Sequence, residues 1–319
     1  MMEVSSFLLQ GCVDLIMKQN TAKVYRIGLM MSITCYLIWG ILPLYWNLLY
    51  TVSAHEILAH RISWSFIFVL SITLCSNKSQ FLADCLLLYH DIKRVLLLCL
   101  ASILITANWL TYIWAVMHNH IIDTSIGYYL NPLMTVFLGV LFFSEKLSIP
   151  KKLSLFLATI GVLIMVLQTG NIPWIAIVLS LTFASYGGVK KKLQLNPFSS
   201  ITLETLFTLP VATGYLFYIQ SIGIGSFGNL TELTSLLLVS SGIVTAVPLI
   251  LFSYGANLLP LNVLGFIQYI SPTLALLLGL FFFKEPLPLE TLFALIFIWV
   301  SIIIFTLDES KIYRSKKVT

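Results

Sequence analysis

A chain of 319 residues, 59% hydrophobic and 10% charged, carries too much apolar side chain for a soluble domain, whose usual shares are roughly half and a quarter. Its formal charge of +5 would point to nucleic acid if the cations shared one surface, but they fall between apolar runs, which argues against a nucleic-acid partner. Five cysteines, Cys12, Cys35, Cys75, Cys85 and Cys99, lack C-x-x-C spacing and indicate neither a disulfide framework nor a metal site; they read as small buried hydrophobes.

The first 24 residues lack a basic n-region, and their apolar run from Phe7 to Leu9 is too short for a span or a secretory signal, so residues 1–26 read as a cytoplasmic tail, with a later start at Met17 as the alternative. A span needs about 20 mainly apolar residues, with roughly 17–25 acceptable. Ten segments qualify: 27–50, 57–75, 95–117, 121–143, 152–168, 172–189, 198–219, 233–257, 262–283 and 289–307. Short turns and basic clusters separate them, and residues 309–319 form a basic tail. The expected class is an all-α integral membrane bundle of ten transmembrane helices.

Lys and Arg in the connections set its orientation, because cytoplasmic loops retain positive charge. With the N-terminus inside, sixteen of the eighteen Lys and Arg residues fall on the cytoplasmic side. The exceptions are Lys284, in an outer loop, and Arg61, inside the second span. Both termini are therefore expected in the cytoplasm.

The stretch from Gly127 to Ser148 returns between Ile267 and Pro288, with eight of twenty-two positions identical, and each copy reads Tyr-x2-Pro-x6-Gly-x5-Glu. The second copy lies five spans after the first. Five is odd, so the two copies enter the membrane with opposite polarity, as in the inverted repeats of secondary transporters. The halves are expected at 27–170 and 171–308.

The stretches YLIWGILPLYW (36–46), EILAHRISWS (56–65), NWLTYIWAVMHNHIIDTSIGYYLNPL (108–133), ETLFTLP (204–210) and GIVTAVPLILFSYGANLLPLNVLGFIQYISPT (242–273) resemble the RarD branch of the drug/metabolite transporter superfamily, whose five-helix unit is the EamA domain. The likeness covers nearly everything after Arg26 and lies in polar and aromatic residues at defined places. It implies a ten-helix permease of the bacterial inner membrane, associated with chloramphenicol sensitivity or resistance. The tail of residues 1–26 departs from that pattern.

Arg61 lies about four residues inside the second span. An arginine at the centre of a span costs roughly 2.5–3.5 kcal/mol on insertion scales and marks a functional site by default, whereas one turn from the surface it can snorkel to water. Glu56 and His60 sit at helical spacings that let either pair with it. Glu204, in the seventh span, has no Lys or Arg on its own helix, so it needs a partner across the bundle, cavity water or a proton. It is the candidate for proton coupling. The inversion separates Arg61 and Glu204 in depth by on the order of 10–15 Å, so each is expected to line one vestibule without pairing with the other.

Asn108, Trp109, Tyr112 and Trp114 on the third span and Tyr128, Tyr129 and Asn131 on the fourth supply amides and aromatic faces, with Gln268, Tyr269 and Ser271 as second-half counterparts. Such groups knit helices together or line a cavity for an organic solute. The expected lining is Arg61, Asn108, Trp109, Tyr128, Asn131, Glu204, Gln268 and Tyr269. Pro132 and Pro272 each free a backbone carbonyl within a span and are the hinge candidates, while Gly139 and Gly279 allow close helix approach. Glu145 and Glu285 read as turn residues facing the positive N-terminal end of the next helix. Lys190, Lys191 and Lys192 read as a topology signal touching anionic lipid, and His118 and His120, near Asp123, as surface histidines.

These residues suggest a secondary transporter that moves a small organic solute by alternating access, with export favoured by the resemblance. No G-x-x-x-x-G-K-[ST] motif is present, so an ion gradient, exchange or the solute's own gradient drives it and no cofactor is expected. An integral-membrane enzyme acting on lipid-linked substrates would need a nucleophile, an acid–base pair or a metal cluster, and no such spacing stands out. A non-transporting scaffold or sensor would leave the polar interior without purpose. A homodimer is not indicated.

Overall fold

A chain crossing a bilayer must satisfy every backbone N–H and C=O internally, which leaves helices or closed barrels. The computed structural model describes residues 2–318 except 77, 119, 170–172, 283 and 285–288, and among the described residues there is no strand. Twelve helices follow in order: α1 (Met2–Asn47), α2 (Ala54–Ser76), α3 (Lys78–His90), α4 (Ile92–Met117), α5 (Ile121–Phe143), α6 (Ile149–Thr169), α7 (Trp174–Leu193), α8 (Pro197–Ser221), α9 (Glu232–Leu258), α10 (Leu261–Gln268), α11 (Ile270–Phe281) and α12 (Leu289–Val318). The expected boundary between halves at 170–171 and the second-copy residues Phe283, Glu285, Leu287 and Pro288 lie outside the described residues.

Eight helical stretches are long and apolar enough to cross a membrane: the 23–47 part of α1, α2, α4, α5, α6, α9, α10 with α11, and α12. The other two expected spans are present as α7 and α8, of 20 and 25 residues, but they fall short in apolarity. The reason is compositional. α7 ends in three lysines, and α8 carries Glu204 among serines and threonines. Both are packed within the bundle, α7 against α4 and α5 and α8 against α2 and α4, so protein partners serve their polar groups.

The connection expected between 76 and 94 contains α3. Its Asp84 is buried and accepts from the Asn196 backbone N–H at 3.3 Å and from Gln80 at 3.2 Å, which ties α3 to the start of α8. Asn196 in turn caps α8, accepting from Phe198 N–H at 3.0 Å with Pro197 at the first helical position, the combination that helix N-termini favour.

The two hinge candidates behave differently. Pro272 coincides with the break between α10 and α11 at Tyr269, because a proline ring clashes with the carbonyl four residues back, that of Gln268, and cannot donate to it. Pro132 lies within α5, which continues through it. Across the bundle, Tyr129 Oη donates to Pro272 O at 3.3 Å, which ties α5 to α11.

The inter-helix packing pairs α6 with α12, α5 with α7 and α10, α2 with α8 and α9, α4 with α7 and α8, and α1 with α9 and α11. Small residues permit the closest crossings. At Gly242 on α9, an added Cβ would fall 2.4 Å from the backbone carbonyl carbon of Trp64 on α2. Backbone cannot swing aside as a side chain can. Gly242→Leu is therefore expected to push α2 from α9 and lower the stability of the detergent-solubilised protein by about 1–3 kcal/mol, the usual cost of overpacking. A melting curve unchanged from wild type would contradict this crossing.

Candidate functional site

A cavity of about 250 Å³ lies between the two halves of the chain. It is lined from α1 by Trp39 and Trp46, from α2 by Arg61, from α4 by Asn108, Trp109 and Tyr112, from α5 by Tyr128 and Asn131, from α9 by Thr245, and from α10 and α11 by Gln268, Ser271 and Pro272. Trp46, Arg61, Tyr112 and Tyr128 belong to the C-terminal ends of α1 and α4 and the N-terminal ends of α2 and α5. These ends share one side of the bundle, so the cavity is displaced toward that side. A larger groove of about 540 Å³ between α1 and α9 is lined almost wholly by aliphatic side chains such as Ile38, Ile41 and Val247. In a multi-pass membrane protein that surface suits lipid tails.

Arg61 is the cavity's charged group. Its Nε donates to Thr245 Oγ1 at 2.9 Å, and its guanidinium carbon lies 4.8 Å from the Trp46 ring centroid and 5.4 Å from that of Trp109. Both distances are within cation–π range. The partners expected for it on α2 are occupied elsewhere. Glu56 accepts from Ser226 N–H at 2.6 Å and Ser226 Oγ at 2.9 Å, while His60 Nδ1 accepts from Trp64 Nε1 at 3.2 Å. Arg61 is thus held by aromatic faces and a hydroxyl, not by a carboxylate.

Asn108 donates through Nδ2 to Leu179 O at 2.8 Å and Thr182 Oγ1 at 3.0 Å, so it lines the cavity and also fastens α4 to α7. Gln268 exchanges side-chain contacts with Thr135 at 3.2–3.4 Å, joining α10 to α5. Among the described residues, Asn131 Oδ1 is buried without a hydrogen-bond partner. The Tyr112 and Tyr128 rings lie 6.1 Å apart.

Two expected lining residues are placed elsewhere. Tyr269 is 1% exposed and packs against Tyr129, ring centroids 6.5 Å apart, and Phe266, in the core that holds α10 to α5. Glu204 lies outside the cavity lining in an ion pair with Lys190, 2.6 Å from Nζ to Oε1. It also accepts from Ser200 Oγ at 2.7 Å and Tyr186 Oη at 2.8 Å. The picture of one charge per vestibule is corrected on this point: Arg61 faces a cavity and Glu204 a lysine. Lys190 itself, expected at a lipid-touching surface, is 2% exposed, because the last turn of α7 directs it inward onto α8.

The turn glutamate Glu145 is also corrected. It meets a helix N-terminus, but that of α10 in the other half, not that of the following α6. Ser144 ends α5 in the left-handed region at φ 52°, and Glu145 then accepts from Leu261 N–H at 2.6 Å, Asn262 N–H at 2.8 Å and Asn262 Nδ2 at 2.6 Å. Lys191 Nζ stands 3.9 Å from it and donates to Leu259 O at 2.5 Å. Nearby, Lys151 pairs with Glu309 at 2.6 Å and Ser148 donates to Asp308 at 2.5 Å. This end of the bundle, opposite the cavity, is laced across the halves by charge. At the other end His120 Nδ1 lies 3.1 Å from Asp123 and His118 stacks on Trp114 at 4.3 Å.

Trp46 and Thr245 went unrecognised as site residues in the sequence. A tryptophan near a span end reads as part of the interfacial belt, and a lone threonine in an apolar run gives no signal.

These features define a multi-pass membrane protein with a polar, aromatic-walled cavity between its halves. The model of the EamA-like transporter family matches residues 26–167. The chain is 40% identical to YojE of Bacillus subtilis, described as an uncharacterized transporter, over 91% of this chain and 97% of that one. It is 38% identical to protein RarD of Escherichia coli over 93% and 98%, and 34% identical to protein RarD of Streptomyces exfoliatus over 92% of each. A solved crystal structure shares the fold with a TM-score of 0.66 at 14% identity, covering 89% of this chain and 98% of that one. The chain belongs to the RarD branch of the drug/metabolite transporter superfamily, and it is a membrane transporter.

Proposed function

We propose that this transporter moves a small organic solute through the central cavity by alternating access, as ten spans in two inverted five-helix halves with both termini in the cytoplasm of a bacterial inner membrane. The observation that carries the reading is the cavity itself, walled by both halves and holding amide, hydroxyl, aromatic and guanidinium groups at a depth where lipid offers no partners.

The packing supports the repeat. Exchanging each helix for its counterpart five spans away turns α5–α7 into α1–α11, α4–α7 into α1–α9, and α2–α9 into α4–α8, while α6–α12, α2–α8 and α5–α10 map onto themselves; every one of these pairs is in contact. By the positive-inside rule the laced end is cytoplasmic, so this arrangement offers the cavity to the exterior. Transport requires the Glu145 and Lys151 contacts to part while the opposite end closes. Pro272, at a helix break against the cavity, is the hinge for that step, with Pro132 as its less bent counterpart. Export is the direction favoured.

The test is uptake of a metabolite panel by right-side-out and inverted vesicles, with and without a pH gradient. Accumulation of a solute in inverted vesicles, abolished by Asn131→Leu in the cavity wall, is the expected result. A protein that moves no solute in either orientation would support the scaffold reading instead.

A further inference from the structure

Resting on the transporter reading, we infer that the cavity takes an organic anion, its carboxylate or phosphate head on Arg61 and a flat apolar body against Trp46, Trp109 and Tyr128. Among the described residues lining the cavity, Arg61 is the only ionisable cation and no Asp or Glu joins it. Glu56, the acidic residue on its own helix, is absorbed by Ser226 at 2.6 Å, and Glu204, on α8, by Lys190 at 2.6 Å.

A guanidinium has five N–H donors. Here Nε is taken by Thr245 at 2.9 Å, and among the described residues no hydrogen bond or ion pair engages the remaining four donors. These are the ones that match a carboxylate or phosphate edge in a two-pronged contact. The two tryptophan faces at 4.8 and 5.4 Å fix the position of the guanidinium, but they supply no counter-charge. Half-buried, the cation keeps part of its desolvation cost, and an anionic solute offsets that cost upon binding.

The walls set the rest of the solute. Tyr112, Tyr128 and Ser271 bring hydroxyls to the same cavity, and the buried, unpartnered Asn131 Oδ1 accepts from a donor on the solute. At about 30 Å³ per water-sized group, a volume of 250 Å³ holds about eight such groups. A monocyclic aromatic acid fits that size.

The test uses four probes of similar size and different charge: benzoate, phenyl phosphate, benzamide and benzylamine. Each is titrated against the full-length protein in phosphatidylcholine nanodiscs, with affinity read from the shift in melting temperature. Benzoate or phenyl phosphate should bind at least about tenfold more tightly than benzamide, and benzylamine more weakly still. Arg61→Gln should remove that preference while leaving benzamide unchanged, and Arg61→Lys should retain part of it. The wild-type ranking stands by itself if Arg61→Gln fails to fold. Binding that ignores charge, or favours benzylamine, overturns the anion and leaves the transporter reading intact. A shift produced by phosphatidylglycerol in the nanodisc but by neither soluble anion assigns Arg61 to a lipid headgroup and overturns the proposal. If no probe binds while the vesicle assay still shows transport, the anion alone falls; if both fail, both readings fall.

Discussion

Glu204→Gln is expected to lower the stability of the solubilised protein by about 3–5 kcal/mol, the usual penalty for stranding one member of a buried ion pair. The side chains of Lys190 and Glu204 are 1% and 5% exposed, so solvent cannot take over from the missing charge. Lys190 also donates to Ser200 Oγ at 2.6 Å, and Ser200 passes a hydrogen bond to the same carboxylate oxygen at 2.7 Å. The three groups form a closed set in which loss of one leaves two mismatched. A double variant, Lys190→Met with Glu204→Leu, is expected to recover most of the loss, because replacing a whole buried pair with apolar groups is often neutral. This comparison also decides the proton-coupling role expected of Glu204 from the sequence. Transport with unchanged pH dependence in the double variant would assign Glu204 to holding α7 against α8. Loss of pH dependence in that stable variant would return coupling to this pair.

Glu145→Ala is the second large effect. One carboxylate accepts from three donors at the start of α10, and each donor stranded away from water costs roughly 1–3 kcal/mol. The favourable alignment of a negative charge with the N-terminal end of the helix is lost as well. Because Glu145 belongs to the first half and α10 to the second, the damage falls on the seam between halves. The expected result is a lowered melting temperature together with faster labelling, by a soluble thiol reagent, of a cysteine placed at Pro260, which gives Glu145 no hydrogen bond. Slow labelling equal to that of the same cysteine in the Glu145 background would show that this seam stays shut without the cap.

Most of the architecture is legible in composition and spacing. Bilayer crossing leaves long apolar runs, so eight of the ten expected spans return as helices long and apolar enough to cross a membrane, and Tyr-x2-Pro-x6-Gly-x5-Glu occurs twice along the chain. Six of the eight expected lining residues, Arg61, Asn108, Trp109, Tyr128, Asn131 and Gln268, do border the cavity, because amides and a guanidinium at that depth have few other places to go. Tyr269 and Tyr128 illustrate the limit. Both are tyrosines beside a proline-bearing repeat, yet one fills the core and the other faces the cavity, a matter of about 100° of rotation about the helix axis for each residue step.

The polar pairings are where sequence reasoning has no purchase. Glu145 as a turn residue, Lys190 as a loop cation and Glu204 as an isolated intramembrane acid are each sensible along one helix, since only neighbours three and four residues away are visible there. Their partners come from 116, 14 and 14 residues away. Composition and spacing carry the helical membrane class, the recurring stretch that bears Pro132 and Pro272, and a lone arginine needing explanation. Which charges cancel and which does not emerges only in the packed bundle: Glu204 with Lys190, Glu145 with the start of α10, and Arg61 left between two tryptophans facing a cavity, because ion pairing is settled by packing across helices and not by order along the chain.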